Sequence, residues 1–428
     1  MSILAALACT SILLGTPSIA TLDTWARDRK DSIENISYPP EDVPGPKPLS
    51  AWVKRYKRAK SRGLIPSIKP SALNNGDPEY PSYSDSEVAD PGHICSWTVS
   101  KCNSPNDIVT APHGEMGISF DDGPQQPTSA LLSFLKENNQ SATHFMIGSR
   151  IHENPDLLLE TYNKNHDHIA VHTWSHPYMT TMTDEQVLGE IGWTMQIIND
   201  LTGLVPAFWR PPYGDIDNRV RAICRHVFGL KTVMWSADPN DWCLSDESSP
   251  GSDCTPGSGP QNMPQLIHDL KHRIRHGVSG RRFPKHGIIS LEHELSSRTV
   301  ESFMKTYPLA KSLGWDTRSI PDLFGLEWYH QPVSNFTRSG ILPLLKRPLL
   351  RNHTTFLNLT TSLQADVLAH KNESAAVTHF QNLNSSLARF PTRNDGHRLQ
   401  SSQILAALSS LIAVRLGYEF QMSLDVSS

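Results

Sequence analysis

The stretch that decides the fold is MGISFDDGP, residues 116–124, in which a mainly apolar run ends in two aspartates, a glycine and a proline. A short apolar run closed by turn-forming residues is typical of a strand buried inside a parallel sheet. Asp121 and Asp122 then stand where the strand ends, which is where parallel α/β folds assemble their reactive groups.

Similar runs recur along the chain and alternate with amphipathic stretches. The further strand-like runs are residues 143–147, 168–171, 207–209, 231–235 and 287–291. The helix-like stretches are residues 129–138, 184–202, 218–228 and 263–276. Strand followed by helix, repeated from about residue 114 to residue 328, predicts an α/β fold, either a (β/α) barrel or a doubly wound sheet.

The whole chain has 428 residues, with 39 Lys and Arg against 43 Asp and Glu, a formal net charge of −4. This balance excludes nucleic-acid binding through bulk positive charge. An apolar content of 38% excludes a chain that is disordered throughout. The length allows one large domain with extensions, or two to three ordinary domains.

The first twenty residues are typical of a secretory signal peptide. Residues 1–20 contain no charged side chain, a central apolar run, and small residues one and three positions before a cleavage site after Ala20. The apolar run of ~12 residues is too short to span a bilayer. We therefore expect a secreted protein.

Residues 21–110 are interpreted as a proline-rich extension or pro-region. Ten prolines fall within residues 39–91, and the apolar residues there show little periodicity, which indicates an extended segment. A basic cluster lies between Lys54 and Arg62. It is a processing site, a contact for an anionic surface, or a solvated helix face.

The C-terminal part differs in composition from the rest. Five of the chain's seven Asn-X-Ser/Thr sequons lie between Asn335 and Asn384, so residues 331–395 are interpreted as an N-glycosylated stalk rich in Ser, Thr and Asn. Residues 396–428 hold an apolar run after small residues and a polar spacer, which resembles a glycolipid (GPI) anchor signal. A plain amphipathic helix is the alternative.

Five cysteines remain once the expected signal peptide is removed, so at least one thiol is free or pairs between chains. Cys243 and Cys254 flank a loop rich in Ser, Pro and Gly and are the first predicted disulfide. Cys95 with Cys102 is the second, although spacing proves neither pairing.

Polar clusters follow the predicted strands. They are FDDGP at 120–124, HTWSH at 172–176, RPPYGD at 210–215, DPNDW at 238–242 and LEH at 291–293. Because the carboxyl ends of barrel strands meet at one face, we expect these clusters to form one active site there.

Two histidines four residues apart, His172 and His176, can bind a divalent ion together with a carboxylate from another strand. Such a pair alone is weak evidence, since many are solvated helix faces. Neighbouring residues of a strand point to opposite faces, but at the end of a strand Asp121 and Asp122 can take two different roles in one site. One would then bind the ion while the other acts as a base on a nearby water.

These five motifs, in this order, resemble those of the polysaccharide deacetylases of carbohydrate esterase family four, most closely the fungal chitin deacetylases. The resemblance covers residues 114–328, about half the chain. It implies a distorted (β/α) barrel at residues 111–330 with irregular N- and C-terminal extensions. Ser119 stands where Thr is commoner in the family.

The resemblance also implies roles for particular residues. Asp122, His172 and His176 are expected to bind Zn²⁺ or Co²⁺, and Asp121 is expected to deprotonate a water whose pKa the ion lowers toward about 7. His293 is expected to protonate the leaving amine. The further residues expected at the substrate or transition state are Tyr213 (backbone N–H to the oxyanion), Arg210 (orienting Asp121), Asp238 (raising the pKa of His293), Trp242 and Leu291 (the acetyl pocket).

The expected reaction is removal of N-acetyl groups from the N-acetylglucosamine units of chitin, giving chitosan and acetate in a fungal cell wall. The expected site of action is the wall or the outer face of the plasma membrane. Alternatives are deacetylation of acetylxylan or peptidoglycan, and a wall-binding protein without catalysis. Iron-dependent oxygenases also use two His and one carboxylate, but usually on an antiparallel jelly roll.

Overall fold

The computed structural model describes residues 37–248, 251–276 and 287–330. The expected signal peptide, glycosylated stalk and anchor signal lie outside these residues and stay predictions. Within the three described ranges, no helix combines the length and the apolar character needed to cross a membrane.

Strands and helices alternate through most of the described chain. The strands are β1 (Ala72–Asn74), β2 (Asp77–Glu79), β3 (Glu115–Gly117), β4 (Ser119–Gly123), β5 (Thr143–Met146), β6 (His168–Val171), β7 (Val205–Pro206), β8 (Phe208–Trp209), β9 (Lys231–Thr232), β10 (Ile288–Ile289), β11 (Glu292–His293), β12 (Asp316–Arg318) and β13 (Tyr329–His330). The α-helices are α1 (Ser50–Ser61), α2 (Asp85–Ala89), α3 (Trp97–Ser100), α4 (Thr128–Glu137), α5 (Gly148–Glu153), α6 (Pro155–Glu160), α7 (Asp184–Thr202), α8 (Asn218–Ile223), α9 (Met263–His276) and α10 (Ser297–Ser312).

The central sheet closes on itself. Parallel strands run in the order β11–β4–β5–β6–β8–β9, and β10–β3–β12 form a second parallel group next to it. The chain beyond β9 returns to the segment between β10 and β11 through a parallel bridge from Ala237 to Ser290. Leu291 N–H donates to the Ala237 carbonyl at 2.9 Å. The α/β fold is therefore a distorted barrel, which decides between the two arrangements left open by the strand and helix pattern.

Successive strand residues face two different cores. Phe145, Ala170 and Phe208 pack with Val233 and Ile289 in one cluster. Their sequence neighbours on the same strands point the other way and pack with residues of α7. Because both faces of each strand are covered, the strands read as continuous apolar runs rather than as alternating ones.

The predicted helices are confirmed, with one change of type. Residues 184–202 and 263–276 are helical over the predicted lengths, and residues 129–138 correspond to α4. The stretch at 218–228 is α-helical only to Ile223 and continues as a π-helix, Cys224–Phe228. α7 is closed by a capping box between Thr183 and Gln186 and by Gly203 in the left-handed region.

The expectation of an extended N-terminal segment is wrong for part of it. α1 presents Trp52, Tyr56 and Ala59 on one face, and all three are buried against the barrel domain. Their spacing of four and three residues is helical, and the many prolines around it mask that signal. The basic residues from Lys54 to Lys60 lie on the remaining faces of α1, and Arg62 is its C-cap residue.

Both predicted disulfides are confirmed, joining Cys243 to Cys254 and Cys95 to Cys102. Cys224 is a buried free thiol. The first disulfide closes the loop that follows the fourth polar cluster, so it limits the movement of the chain beside the site.

Candidate active site

The polar clusters at the strand ends meet at one edge of the barrel. Asp121 lies near the end of β4, and the parallel pairing of β4 with β11 sets His293 beside it. His172 follows β6 directly and Arg210 follows β8. Parallel direction brings these carboxyl ends together, although the residues are far apart along the chain.

Asp122, His172 and His176 form a cluster in which one potential ligand atom from each lies within 4.8 Å of the others. His172 Nε2 is 3.2 Å and His176 Nε2 is 3.1 Å from Asp122 Oδ1. Asp122 and His172 are buried, but the side chain of His176 is 23% exposed. The cluster is therefore reachable from solvent on one side.

The atoms of this cluster are arranged as ligands for a cation rather than as hydrogen-bond partners of one another. Asp122 Oδ1 is buried and has no hydrogen-bond partner of acceptable geometry among the described residues. His172 Nδ1 lies 2.8 Å from the Arg210 carbonyl, so Nδ1 is the donor and Nε2 carries a lone pair in the neutral ring. Two imidazole nitrogens and one carboxylate, open on one side, fit the donor set of a catalytic zinc or cobalt ion.

Neighbouring groups keep Asp122 ionised, and the surrounding structure enforces an unusual backbone conformation in the cluster. Burial alone would raise the pKa of Asp122, but His176 and His172 outweigh it and hold the pKa well below its usual range. The carboxylate is therefore ionised, as a ligand must be. Asp122, Thr173 and His176 have φ values of 71°, 68° and 57°, a conformation that non-glycine residues keep only where the structure enforces it.

Asp121 is paired with Arg210. Arg210 Nη1 donates to Asp121 Oδ1 at 2.7 Å, and Nη2 donates to Ser119 Oγ at 3.1 Å. Burial lowers the pKa of Arg210 while Asp121 opposes that shift. The second carboxylate oxygen, Asp121 Oδ2, lies 3.7 Å from His172 Nε2 and so faces the ligand cluster. Ser119 retains the hydroxyl that accepts the bond from Arg210.

His293 has a different carboxylate partner from the expected one. Its Nδ1 lies 2.6 Å from Asp241 Oδ1, and its backbone N–H donates to Asp241 Oδ2 at 2.9 Å. Burial alone would lower the pKa of His293, but Asp241 raises it to about 10. Asp238, the expected partner, instead accepts a hydrogen bond from Asn240 N–H at 2.9 Å. It shapes the turn that delivers Asp241, the second aspartate of the same DPNDW cluster.

Tyr213 lies beside the exposed histidine of the cluster. Its ring stacks on Tyr178 with centroids 4.1 Å apart and meets His176 edge-on at 4.6 Å. Its φ of 59° turns the backbone sharply, and the hydrogen bonds of that turn are donated by Gly214 and Asp215. The Tyr213 N–H therefore makes neither of these two hydrogen bonds.

Trp242 and Leu291 lie next to the Asp241–His293 pair along the chain. Trp242 follows Asp241 in the chain and is 42% exposed, whereas Leu291 is 6% exposed and precedes β11. Trp242 thus presents an exposed aromatic ring, whereas the apolar side chain of Leu291 is buried.

Sequence reasoning missed two residues of this site. Tyr178 stands two positions after His176, in a tract with no recognised pattern. Glu190 lies on α7 and is fully buried, with its carboxylate bonded to the backbone of Trp174 and Ser175. A glutamate on the apolar face of a helix is unusual, and that was the signal available.

A family model described as polysaccharide deacetylase matches residues 109–232. The chain is 41% identical over 283 residues to chitin deacetylase 3 of Cryptococcus neoformans var. neoformans, covering 65% of this chain and 63% of that protein. It is 37% identical over 282 residues to chitin deacetylase 2 of Saccharomyces cerevisiae, covering 65% of this chain and 81% of that protein. The chain thus spans less than two thirds of the Cryptococcus relative and most of the yeast one.

Among solved structures, the chain is similar to the chitin deacetylase from the fungal pathogen Colletotrichum lindemuthianum. The identity is 19%, the TM-score is 0.43, and the match covers 51% of this chain and 90% of that one.

Proposed function

Because the chain belongs to the polysaccharide deacetylase family, we propose that it is a metal-dependent enzyme that removes N-acetyl groups from chitin. The observation that carries the proposal is the open cluster of Asp122, His172 and His176. Two ion pairs, Asp121 with Arg210 and His293 with Asp241, accompany it at the same edge of the barrel, where β4 pairs with β11.

The ligand cluster suits Zn²⁺ or Co²⁺, held by Asp122, His172 and His176. When bound there, such an ion supplies Lewis acidity toward the acetamide carbonyl and acidifies water. The backbone N–H of Tyr213 is the donor assigned to the oxygen that becomes negatively charged, a contribution of several kcal/mol in comparable sites.

Two proton transfers complete the hydrolysis. Asp121 Oδ1 is engaged by Arg210, so Oδ2 accepts the proton of the attacking water. The water oxygen bonds to the acetyl carbon, and the carbonyl π electrons move to the carbonyl oxygen. When the carbonyl re-forms and the C–N bond breaks, His293 Nε2 gives its proton to the leaving nitrogen. Acetate and a free amine on the sugar result, and Asp241 keeps His293 protonated before this step.

The choice of chitin follows the relatives, whose names say that they act on it. Trp242 and Leu291 are assigned to the acetyl methyl group, while Asp238 is assigned to shaping the loop that carries Asp241. The proposal also includes secretion, a wall location, N-glycosylation and attachment through a glycolipid anchor. Sequence features at both ends of the chain support these parts of it.

The test is acetate release from chitin oligomers, acetylxylan and peptidoglycan fragments in parallel, with metal analysis of the same sample. We expect release from chitin oligomers to be fastest, to stop with a chelator and to return with Zn²⁺ or Co²⁺. Faster release from acetylxylan or peptidoglycan would reassign the substrate. No release from any of the three by metal-loaded protein would reject the enzymatic role.

A further inference from the structure

One buried carboxylate lies directly behind the turn that carries both histidine ligands. Glu190 Oε2 accepts hydrogen bonds from the backbone N–H groups of Trp174 at 2.8 Å and Ser175 at 2.9 Å. Glu190 Oε1 accepts from the Ser175 hydroxyl at 2.7 Å. All three donors belong to the turn between His172 and His176, so this carboxylate holds the turn from inside.

The fourth donor to Glu190 comes from a distant part of the chain. We call residues 38–62 the N-terminal strap. Gly45 N–H, within it, donates to Glu190 Oε1 at 2.7 Å. Gly45 has a φ of 70°, and a Cβ added there would lie 2.4 Å from Gln186 Cγ. Only glycine permits this close approach, so the bond depends on the residue type at position 45.

The strap also covers the same turn from outside. Trp174 Nε1 donates to the Pro40 carbonyl at 2.9 Å, and the ring of Tyr38 stacks on Trp174 with centroids 5.9 Å apart. Trp174 is fully buried as a result. Farther along, Trp193 Nε1 donates to the Lys47 carbonyl at 2.9 Å, which ties the strap to α7 beside Glu190.

We propose that the N-terminal strap is a permanent part of the metal-binding apparatus, and that Glu190 is the positioning residue through which it holds His172 and His176 in place. The reason lies in the backbone of the turn, where Thr173 and His176 both have positive φ and need an external restraint. Without the strap the buried carboxylate loses one of its four donors, and Trp174 loses its bond to the Pro40 carbonyl and its stacking with Tyr38. The inference rests on the metal site of the proposed function.

The first test replaces the carboxylate by an amide. In Glu190→Gln the single amide oxygen can accept from the donors on one side only, so the NH₂ group faces either the Gly45 N–H or the N–H groups of Trp174 and Ser175, and at least one bond between the strap, Glu190 and the turn is lost. We expect the dissociation constant for Zn²⁺ to rise about 10- to 100-fold, the usual effect of losing a group that supports metal ligands. The measurement is chelator competition on the metal-free full-length chain.

Asp107→Asn is the matched control. Asp107 is another carboxylate of low exposure, bonded to Arg221 at 3.0 Å, and it has no place in the turn. We expect this variant to bind Zn²⁺ as the unaltered protein does. Equal loss of affinity in both variants, or none in a folded Glu190→Gln protein, would overturn the inference. Failure of the unaltered protein to bind Zn²⁺ would instead reject the metal site itself.

The second test works on the strap and stays informative if Glu190→Gln does not fold. Gly45→Ala and Gly63→Ala introduce the same backbone strain, since the two φ values are 70° and 69°. At Gly63 a Cβ meets nothing within 4 Å, whereas at Gly45 it forces the strap away from α7. We expect Gly45→Ala to weaken Zn²⁺ binding about tenfold and Gly63→Ala to leave it unchanged.

A double variant links the two positions. If Gly45 acts through Glu190, Gly45→Ala combined with Glu190→Gln binds Zn²⁺ no more weakly than Glu190→Gln alone. Full additivity of the two losses would show that the strap and Glu190 act separately. Equal Zn²⁺ affinity in Gly45→Ala and Gly63→Ala would show that the strap has no part in metal binding.

Discussion

At the scale of single residues, the two aspartates that end β4 are separated by what each one contacts. Asp122 meets two imidazoles, while Asp121 is bonded to a buried guanidinium. These different contacts suit the two roles that we propose, Asp122 as a metal ligand and Asp121 as a base. Their positions along the chain differ by one, so the separation comes entirely from their neighbours.

Replacing each aspartate should therefore have a different effect. We expect Asp122→Ala to lose both bound metal and turnover, because it removes one of three ligands. Asp121→Asn should keep the metal and lower kcat about 10²- to 10⁴-fold, the range for loss of a general base. Metal stoichiometry and acetate release, measured on the same folded samples, check both statements. An Asp121→Asn enzyme with unreduced acetate release would remove Asp121 from the role of base.

The Asp241–His293 pair predicts how activity depends on pH. Asp241 raises the pKa of His293 to about 10, so His293 is protonated at neutral pH, as the proposed proton transfer to the leaving amine requires. In Asp241→Asn that pKa falls, and the alkaline limb of the kcat profile should move to lower pH. Asp238→Asn is the comparison, because the charge of Asp238 also interacts with His293 but its carboxylate bonds the Asn240 N–H rather than the imidazole, so we expect a smaller displacement. A larger displacement with Asp238→Asn would restore the original assignment.

The same pair contributes to stability with a definite sign. The pKa of His293 in the folded protein, about 10, lies above its unfolded value of about 6.5. Its contribution is fully present below pH ~6.5 and is lost as pH rises through about 10. Urea unfolding of the metal-free protein should show this loss in the unaltered chain and a weaker one in Asp241→Asn. Identical pH dependence in the two proteins would contradict the pairing.

At the scale of elements, α1 behaves as part of the domain. Trp52 is fully buried and meets Trp193 and Phe228 edge-on, with centroids 5.5 and 6.1 Å apart. The buried face of α1 joins the same apolar cluster as the residues of α7. A helix held in this way is expected to unfold with the domain rather than before it.

Removal of the Trp52 side chain should destabilise the whole domain. We expect Trp52→Ala to lower the free energy of unfolding by about 3–5 kcal/mol, the usual cost of deleting a buried large aromatic side chain. Lys54→Ala, on the exposed face of the same helix, should change it by no more than about 0.5 kcal/mol. Chemical denaturation of both variants makes the comparison. A Trp52→Ala effect as small as that of Lys54→Ala would mean that α1 is only loosely attached.

At the scale of the whole molecule, the proposed metal ligands come from two strand ends, and the turn between His172 and His176 is bonded through Glu190 of α7 to the strap. A metal ion bound by such a set stabilises the native state only, by about 2.7 kcal/mol when its free concentration is 100 times the dissociation constant. We expect Zn²⁺ to raise the melting temperature of chelator-treated protein in a concentration-dependent way. His176→Ala should abolish the rise, and a rise of unchanged size would place the ion elsewhere.

Much of this arrangement could be predicted from local sequence pattern. Apolar runs closed by polar clusters are local features, and they marked the barrel strands because a strand covered on both faces must be apolar throughout. The same clusters indicated which side chains would stand at the strand ends, including Asp122, His172 and His176. Both disulfides also followed from residues close in the chain.

Other features were decided only by tertiary structure. His293 and Asp241 are 52 positions apart, and no local pattern says which of two nearby aspartates will turn toward the imidazole. Gly45 and Glu190 are 145 positions apart, and their bond exists because α1 and α7 pack together. Local sequence determines which residues are buried and where strands end, because periodicity and run length act over a few residues. The partner of each polar group depends on distances across the fold, which arise only when the barrel has closed.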